Sequence, residues 1–223
     1  MHQKRLDAQA IQNMEQRHRT AFINTLSGFK SINLCGTIDS EGRYNLAPFS
    51  SVVHLGANPA LMGFIMRPIT VSRHTYENIV ATGYYTLNHL SSDIYKQGHQ
   101  CAARYDREQS EFEQVGLKPK LGDLHPAPYV EESPIQIGLQ FESSIPIPIN
   151  GTLLMIGRII EVFFPEQAMG ADGFLDLEMA GSITCSGLEA YHQTQKLGRL
   201  SYAKPDQALS ELAFPAASHS NKD

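Results

Sequence analysis

The sequence predicts a mainly β (α+β) protein, an antiparallel barrel with peripheral helices. Short apolar segments alternate with period two, and turn residues separate them. Helical patterns are too few to place a helix between each pair of strands, which argues against a parallel sheet. With 223 residues, of which 42% are apolar, the chain can bury one full core without disulfides or a structural metal.

Composition excludes several classes of protein. The net charge of −5 leaves no strongly basic surface, so we expect no nucleic-acid partner. No apolar run approaches the length of a membrane span, and the first residues lack the apolar region of a signal peptide, so we expect a cytoplasmic protein without a membrane partner. Cys35, Cys101 and Cys185 are odd in number and widely spaced, which argues against disulfides and a zinc site, and the apolar surroundings of Cys35 and Cys185 predict that these two are buried core thiols.

The first elements follow from a change of period. Residues 4–26 have a loose apolar stripe that predicts a helix, and Gly28 ends it. In SINLCGTI, Ile32, Leu34 and Ile38 share one face of a predicted strand. A turn over residues 39–43 follows, and YNLAPFSSVVHL continues as an extended segment. Since Pro48 has no N–H, that segment is predicted at a sheet edge or as an irregular stretch.

The middle of the chain mixes strands and short helices. The sequence predicts a turn at 57–59, a buried strand at 61–66, a helix at 72–82, a strand in YYTLNHL and a helix over 92–104. Ser72 is the predicted N-cap of the 72–82 helix, and Gly83 its end. Ser110 and Glu113 form a predicted capping box for a further short helix that Gly116 closes.

The C-terminal half contains the clearest strands. Residues 118–134 are rich in proline and predict an irregular excursion over the surface. IQIGLQFES alternates strictly, which predicts a strand with one buried and one wet face. An Ile-Pro-Ile-Pro loop is predicted at 145–148. GTLLMIGRIIEVFF then predicts a long strand with a bulge at Gly157.

The usual motifs of catalysis are missing from the sequence. It contains no G-x-S-x-G, no Walker A loop, no G-x-G-x-x-G and no H-E-x-x-H. His99 and Cys101 come closest to a pair of metal ligands, and two ligands do not complete a site. Metal catalysis and triad hydrolysis therefore have no support, and no catalytic side chain is predicted.

The segment from Asn45 to Ser51 is the first polar cluster beside apolar strands. A proline in an extended run leaves neighbouring backbone groups free, and Ser50 and Ser51 add hydroxyl groups. Two interpretations stay open: a kinked edge strand, or a strand whose backbone meets the edge of a ligand ring.

A second cluster combines Arg67 with Ser72, Arg73, His74 and Thr75 at the start of the predicted 72–82 helix. Amides at a helix N-terminus carry partial positive charge, and guanidinium and hydroxyl groups suit a phosphate monoester. The alternative is ordinary capping with surface arginines. One buried strand joins the two clusters, so together they favour a phosphorylated planar cofactor.

These segments resemble the flavin reductase-like, FMN-binding split-barrel family, which includes flavoredoxins and NAD(P)H:flavin oxidoreductases. The resemblance extends over roughly residues 28–205. It is carried by TIDSEGRYNLAPFSSV, ALMGFIMRP, SRHTYENIVATGYYTLNHL, SEFEQVGL, VEESP and GRIIEVFF. It implies an antiparallel split β-barrel of the FMN-binding type. The chain then divides into an N-terminal helix appendage (1–27), the split-barrel domain (28–205) and a C-terminal tail (206–223).

The resemblance also implies a set of cofactor-binding residues. The predicted FMN contacts are Asn45, Leu46, Ala47, Pro48, Phe49, Ser50, Ser51, Arg67, Arg73, Thr75 and Arg199. The 45–51 segment would line the isoalloxazine, largely through its backbone. Arg73 and Thr75 would hold the phosphate, and Arg67 would add a second cation. Asn78 matches a position that can serve packing instead, and Arg199 lies in the segment that approaches the flavin.

The implied activity is hydride transfer from NADH or NADPH to flavin N5, with reduction of a second flavin, a ferric complex or a protein partner. The family implies a homodimer, on which the N-terminal helix could pack. One alternative is a flavoredoxin-like electron carrier without its own nicotinamide site, and another is a barrel that binds pyridoxal phosphate. For His125, in the 118–134 loop, a solvated side chain is favoured over one that faces nicotinamide.

Overall fold

Seven antiparallel strands form the main sheet of the computed structural model, which describes residues 2–216. The strands in chain order are β1 (Lys30–Ser31), β2 (Asn33–Ile38), β3 (Tyr44–Phe49), β4 (Val53–Ala57), β5 (Ala60–Met66), β6 (Tyr84–His89), β7 (Pro119–Lys120), β8 (Tyr129–Val130), β9 (Gln136–Ile147), β10 (Thr152–Phe163), β11 (Thr184–Ser186), β12 (Ala190–His192), β13 (Arg199–Leu200) and β14 (Glu211–Leu212). The main sheet has the order β3-β2-β6-β9-β10-β5-β4. The two edge strands are therefore consecutive in sequence, and the short 50–52 connection brings them together.

Short helices lie outside the sheet. They are α1 (Ala8–Gln12), α2 (Gln16–Leu26), α3 (His74–Thr82), α4 (Tyr95–Gln100) and α5 (Glu111–Val115), with a 3₁₀ turn at Glu166–Ala168. The single helix predicted over 4–26 is wrong, because the segment forms two helices that are interrupted between Asn13 and Glu15. The Glu15 carboxylate accepts from the His18 amide and so begins a new helix.

The main strands confirm the period-two analysis. Strands occur at 61–66, in YYTLNHL and in IQIGLQFES, and the ladder shifts register beside Gly157 as the predicted bulge requires. Pro48 lies in the edge strand β3. The predicted Ile-Pro-Ile-Pro loop is wrong, because β9 continues through Ile147. Pro146 is accommodated there opposite Leu153 of β10.

The predicted wet face of IQIGLQFES is wrong in its first half. Gln136 and Gly138 are buried, and exposure begins only at Gln140. The 118–134 excursion covers this part of the sheet. A Cβ on Gly138 would lie 2.2 Å from the Tyr129 hydroxyl and 2.5 Å from His125 Nε2, so the covering loop packs directly onto the strand.

The sheet separates two apolar clusters. Leu34 and Leu46 pack on one side with Phe112 of α5, and Cys35 and Leu87 pack on the other with Phe64. Strand β2 is buried on both faces for this reason. All three cysteines are free and buried, which confirms the prediction of core thiols for Cys35 and Cys185 and adds Cys101 to them.

Two predicted side-chain caps are wrong. Helix α3 begins at His74 with Arg73 as its N-cap, and the Ser72 hydroxyl instead donates to Glu77. Ser110 is the N-cap of α5 by backbone geometry, but its hydroxyl makes no capping bond. Gly83 and Gly116 end α3 and α5 with positive φ, as predicted.

The C-terminal segment folds back on the chain. Strand β14 pairs with β13, although residues from 206 onward are predicted as a tail. Residues 217–223 of that predicted tail lie outside the described residues. Between residues 2 and 216 the structure has no helix that is long and apolar enough to cross a membrane.

A half-buried histidine gives the fold an acid-sensitive element. His89 ends β6, and its Nδ1 lies 3.0 Å from the Ser182 hydroxyl. Burial lowers the pKa of His89 to about 4 from its usual value. The contribution of His89 to stability is therefore complete above the unfolded pKa near 6.5 and is lost as the pH falls toward 4.

We expect the free energy of unfolding to fall by about 1–3 kcal/mol between pH 7.5 and pH 5.0, because His89 binds a proton in this range in the unfolded state but not in the folded state. Urea unfolding at the two pH values measures this. His89→Gln should flatten the dependence, and His54→Gln, at an exposed position, should not. An equal slope in all three proteins would contradict the assignment.

Candidate functional site

Strand β3 and helix α3 meet through buried polar side chains. The Asn45 amide donates to the Thr75 hydroxyl at 3.0 Å and to the Thr37 hydroxyl at 3.3 Å. The Asn78 amide donates to Thr37 at 3.1 Å. All four residues are nearly buried, so their bonds fix the start of α3 against β2 and β3. Asn78 is thus a packing residue, as one of its two interpretations predicts.

The N-terminus of α3 retains hydrogen-bond donors. Its first intrahelical bond runs from the Glu77 amide to the Arg73 carbonyl, so the amides of His74, Thr75 and Tyr76 precede the helical ladder. Thr75 Oγ1 accepts from Asn45, which leaves the hydroxyl proton of Thr75 to donate elsewhere. Together these groups form a positive cradle at the end of a nine-residue helix.

Two arginines lie close to this cradle in sequence and structure. Arg73 Nε donates to the Pro68 carbonyl at 3.2 Å, which holds the side chain and leaves the two terminal nitrogens of its guanidinium for another acceptor. Arg67 is exposed at the end of β5, one residue before that carbonyl. This arrangement suits a phosphate group that carries about two negative charges.

An acidic residue that sequence reasoning missed shares the helix start. Glu77 Oε1 accepts from the Ser72 hydroxyl at 2.8 Å and from the Arg73 amide at 3.0 Å, and Oε2 pairs with Arg107. These hydrogen bonds outweigh partial burial and lower the pKa of Glu77. An acid in the first turn of a predicted helix is a detectable sequence feature, but its partner Arg107 lies 30 residues away.

The outer edge of β3 has a second acidic partner. The Glu111 carboxylate accepts from the Leu46 amide at 2.8 Å. Backbone groups alternate in direction along a strand, so the nitrogen of Pro48, like the amide of Leu46, faces away from β2. The missing N–H of Pro48 therefore costs no hydrogen bond between β3 and β2. Leu46 itself packs into the cluster beside α5, and its N–H is engaged. The backbone that stays open to a ligand is the part beyond it, toward Ser50.

The far end of the 45–51 segment is tied to neighbouring strands. Ser51 lies in the connection after β3, and its Oγ accepts from the Ile65 amide at 3.0 Å, which ties this connection to β5. Phe49 packs on Phe64 with ring centroids 4.5 Å apart. Direct hydrogen bonds join Asn45 to Thr75, Ser51 to Ile65 and Arg73 to Pro68, and Arg67 lies at the end of β5, so Asn45, Ser51, Arg67, Arg73 and Thr75 lie on or beside β3, β5 and α3. The sequence predicted all five as site residues.

Arg199 lies in a different group of residues. Its guanidinium pairs with Asp172 at 2.5 Å, donates to the Ala213 carbonyl, and stacks 3.9 Å from the Phe174 ring. The Arg199 side chain thus bridges the 170–179 segment and the C-terminal residues. No hydrogen bond within the described residues joins it to Arg73 or Thr75.

His125 is neither solvated nor open to a ligand, so the favoured prediction for it is wrong. Its side chain is fully buried, stacks on Tyr84, and places Nε2 2.8 Å from the Tyr129 hydroxyl. Tyr129 donates to Glu161 at 2.7 Å. Burial outweighs the nearby carboxylate and lowers the pKa of His125. The network holds the 118–134 loop on the sheet.

The fold defines a class of protein: an antiparallel barrel in which the start of a helix, with its first amides outside the helical ladder, lies beside an edge strand. Comparison with known proteins identifies the family within this class. Residues 30–179 match the family model described as "Flavin reductase like domain", and the chain belongs to that family. Residues 45–51, 67, 73 and 75 all fall inside the matched range, whereas Arg199 falls outside it.

Solved structures support the same fold. A candidate flavin reductase with a split-barrel domain from Shewanella frigidimarina NCIMB 400 is 46% identical, with a TM-score of 0.87 over 90% of this chain and 100% of that one. Component B of nitrilotriacetate monooxygenase from Bacillus cereus is 18% identical, with a TM-score of 0.77 over 88% and 98%. An FMN-binding protein from Thermus thermophilus is 18% identical, with a TM-score of 0.61 over 76% and 90%.

A curated relative has no described activity. The chain is 23% identical to an uncharacterised protein of Aquifex aeolicus (strain VF5) over 120 residues. The matched stretch is 53% of this chain and 61% of that protein.

Proposed function

We propose that this protein binds FMN and catalyses NAD(P)H-dependent reduction of a flavin or a flavin-linked acceptor. The observation that carries the proposal is the cradle at the start of α3, which the Asn45–Thr75 bond fixes beside β3. An anion cradle next to an edge strand suits a ligand with a phosphate tail and a flat polar ring. Family membership and the FMN-binding relative support the same ligand.

The residues of the chain would bind and orient the cofactor. The amides of α3, the Thr75 hydroxyl and the guanidinium of Arg73 would hold the phosphate, with Arg67 as a second cation. The backbone from Ala47 to Ser51 would line the ring, and Asn45 would fix the geometry between the two parts. Bound FMN would supply the hydride chemistry, so no nucleophile or general acid is required of the protein.

The second candidate function is an electron carrier that a partner reduces. Its support is a flavoredoxin of Desulfovibrio vulgaris (Miyazaki F), which has the same fold with a TM-score of 0.67 at 22% identity. Both functions require FMN and differ only in the reductant. A barrel for pyridoxal phosphate would require neither flavin nor nicotinamide.

One experiment separates these functions. The purified protein, loaded with FMN, should absorb near about 450 nm and should bleach within seconds on anaerobic mixing with NADH or NADPH. A flavin that stays oxidised with both nucleotides would favour the carrier. Failure to bind FMN while pyridoxal phosphate binds would contradict both flavin functions.

We also propose that the protein acts as a homodimer. The single chain exposes 14265 Å², against roughly 10,000 Å² for a compact monomer of 24.7 kDa. No residue of α2 is buried, and an eleven-residue helix is marginal alone in water. Ile23, Leu26 and Phe29 are exposed on or beside it. An interface of about 2,000 Å² or more in total, on the order seen in obligate dimers, would cover part of this excess on each chain. Sedimentation of the purified protein measures the oligomeric state.

A further inference from the structure

Glu111 is a buried carboxylate that the proposed function does not use directly. It is the first residue of α5 and only 7% exposed. Burial raises the pKa of Glu111 above its usual range. A carboxylate in such surroundings costs several kcal/mol unless it gains strong hydrogen bonds. The bond that compensates here is the one from the Leu46 amide, across 65 residues of sequence.

That bond is the one side-chain hydrogen bond to the outer edge of β3 among the described residues. The amide of Leu46 points away from β2, and Pro48, the next residue with the same orientation, has no N–H. On its inner edge β3 has a regular ladder with β2. Its outer edge is held by the hydrogen bond to Glu111 together with the packing of Leu46 and Tyr44 on Phe112.

The location of Leu46 gives this bond a consequence for the ligand. Its neighbour Asn45 holds Thr75 at the cradle, and Pro48 is the next residue of β3 whose backbone faces away from β2. A shift of β3 along its outer edge would move the cradle and the backbone for the ring relative to each other. Glu111 would prevent this shift, and its own position is fixed because the next residue, Phe112, is buried in the adjacent core with 1% exposure.

We propose that Glu111 is a positioning residue, whose carboxylate accepts the Leu46 N–H and holds the edge strand in the place that FMN binding requires. The inference rests on the proposed function for its ligand. The hydrogen bond from Leu46 to Glu111 does not depend on that function and can be measured in the protein without FMN.

The test compares three substitutions at position 111 with a matched control. Glu111→Ala removes the acceptor, Glu111→Asp withdraws the carboxylate by one methylene, and Glu111→Gln keeps an acceptor oxygen at full length. Glu113→Ala is the control, because Glu113 lies on the same helix and is exposed. Each variant is titrated with FMN, the visible circular dichroism of the bound flavin is recorded, and exchange of the Leu46 amide is followed by NMR without FMN.

We expect Glu111→Ala and Glu111→Asp to raise the Kd for FMN about tenfold and to speed exchange of the Leu46 amide by at least about tenfold. Glu111→Gln should stay within about threefold of the wild type in both, with an unchanged dichroism band, and Glu113→Ala should match the wild type. If Glu111→Ala does not fold, the aspartate and glutamine variants still decide.

The inference is overturned if the aspartate variant binds FMN as the wild type does, or if glutamine fails to restore binding. Unchanged exchange of the Leu46 amide in the aspartate variant would also overturn it. Failure of the proposed function has a different result, since the wild type itself would then not bind FMN.

Discussion

Replacement of Arg73 and Thr75 together by alanine is expected to weaken FMN binding by about 2–4 kcal/mol, a rise in Kd of about 30-fold to 1000-fold. The double change removes a guanidinium and a hydroxyl from the cradle at the start of α3. Hydrogen bonds from charged donors to phosphate are the strongest that this site offers. Fluorescence titration of FMN against the two proteins measures the loss.

Two controls make this result specific for the phosphate. Riboflavin has the same ring and no phosphate, so its affinity should differ by less than about threefold between wild type and double variant. Arg104→Ala removes a cation from an exposed position and should leave FMN binding unchanged. A double variant with full flavin occupancy would contradict the phosphate assignment.

Gly36→Ala is expected to lower the free energy of unfolding by about 3–5 kcal/mol. Gly36 lies in β2, between β3 and β6 of the main sheet and directly under the 118–134 loop. A Cβ there would lie 2.1 Å from the Pro128 carbonyl oxygen and 2.6 Å from Thr86 Oγ1. Backbone cannot move aside as a flexible side chain can, and the Thr86–Pro128 hydrogen bond would be lost with it.

Thermal unfolding should show this change as a fall in Tm of about 10–15 °C. Gly198→Ala is the matched control, because a Cβ at Gly198 would meet nothing within 4 Å. Its stability should change by less than about 0.5 kcal/mol. If Gly36→Ala unfolded at the wild-type temperature, the close packing of the loop on β2 would be contradicted.

Sequence reasoning was most successful where the physics is local. Short apolar runs predicted the strands at 61–66 and in YYTLNHL, because the residues that form one strand are neighbours in the sequence. It failed for IQIGLQFES, where Gln136 and Gly138 are buried beneath a loop that comes from a different part of the chain. It also missed the break in the N-terminal helix, which depends on Glu15 as a competing N-cap.

The candidate site shows the same division. The sequence predicted Asn45, Arg73 and Thr75 by their types and by resemblance, and the structure places the first and last in direct contact. It gave no indication that Glu111 holds Leu46, since nothing in either segment encodes a partner 65 residues away. His125 was misplaced for a similar reason: its environment consists of Tyr84, Tyr129 and Glu161, from three separate elements.

By itself the amino-acid sequence determined the period of each strand, the ends of α3 and α5 at glycines, and the residue types that suit a phosphorylated ring. These depend on backbone geometry and on chemistry within a few residues. Only the tertiary structure decided which groups remain free to bind. Long-range contacts pair the Leu46 amide with Glu111 and the Arg199 guanidinium with Asp172. The first amides of α3 have no partner in the helical ladder and remain hydrogen-bond donors.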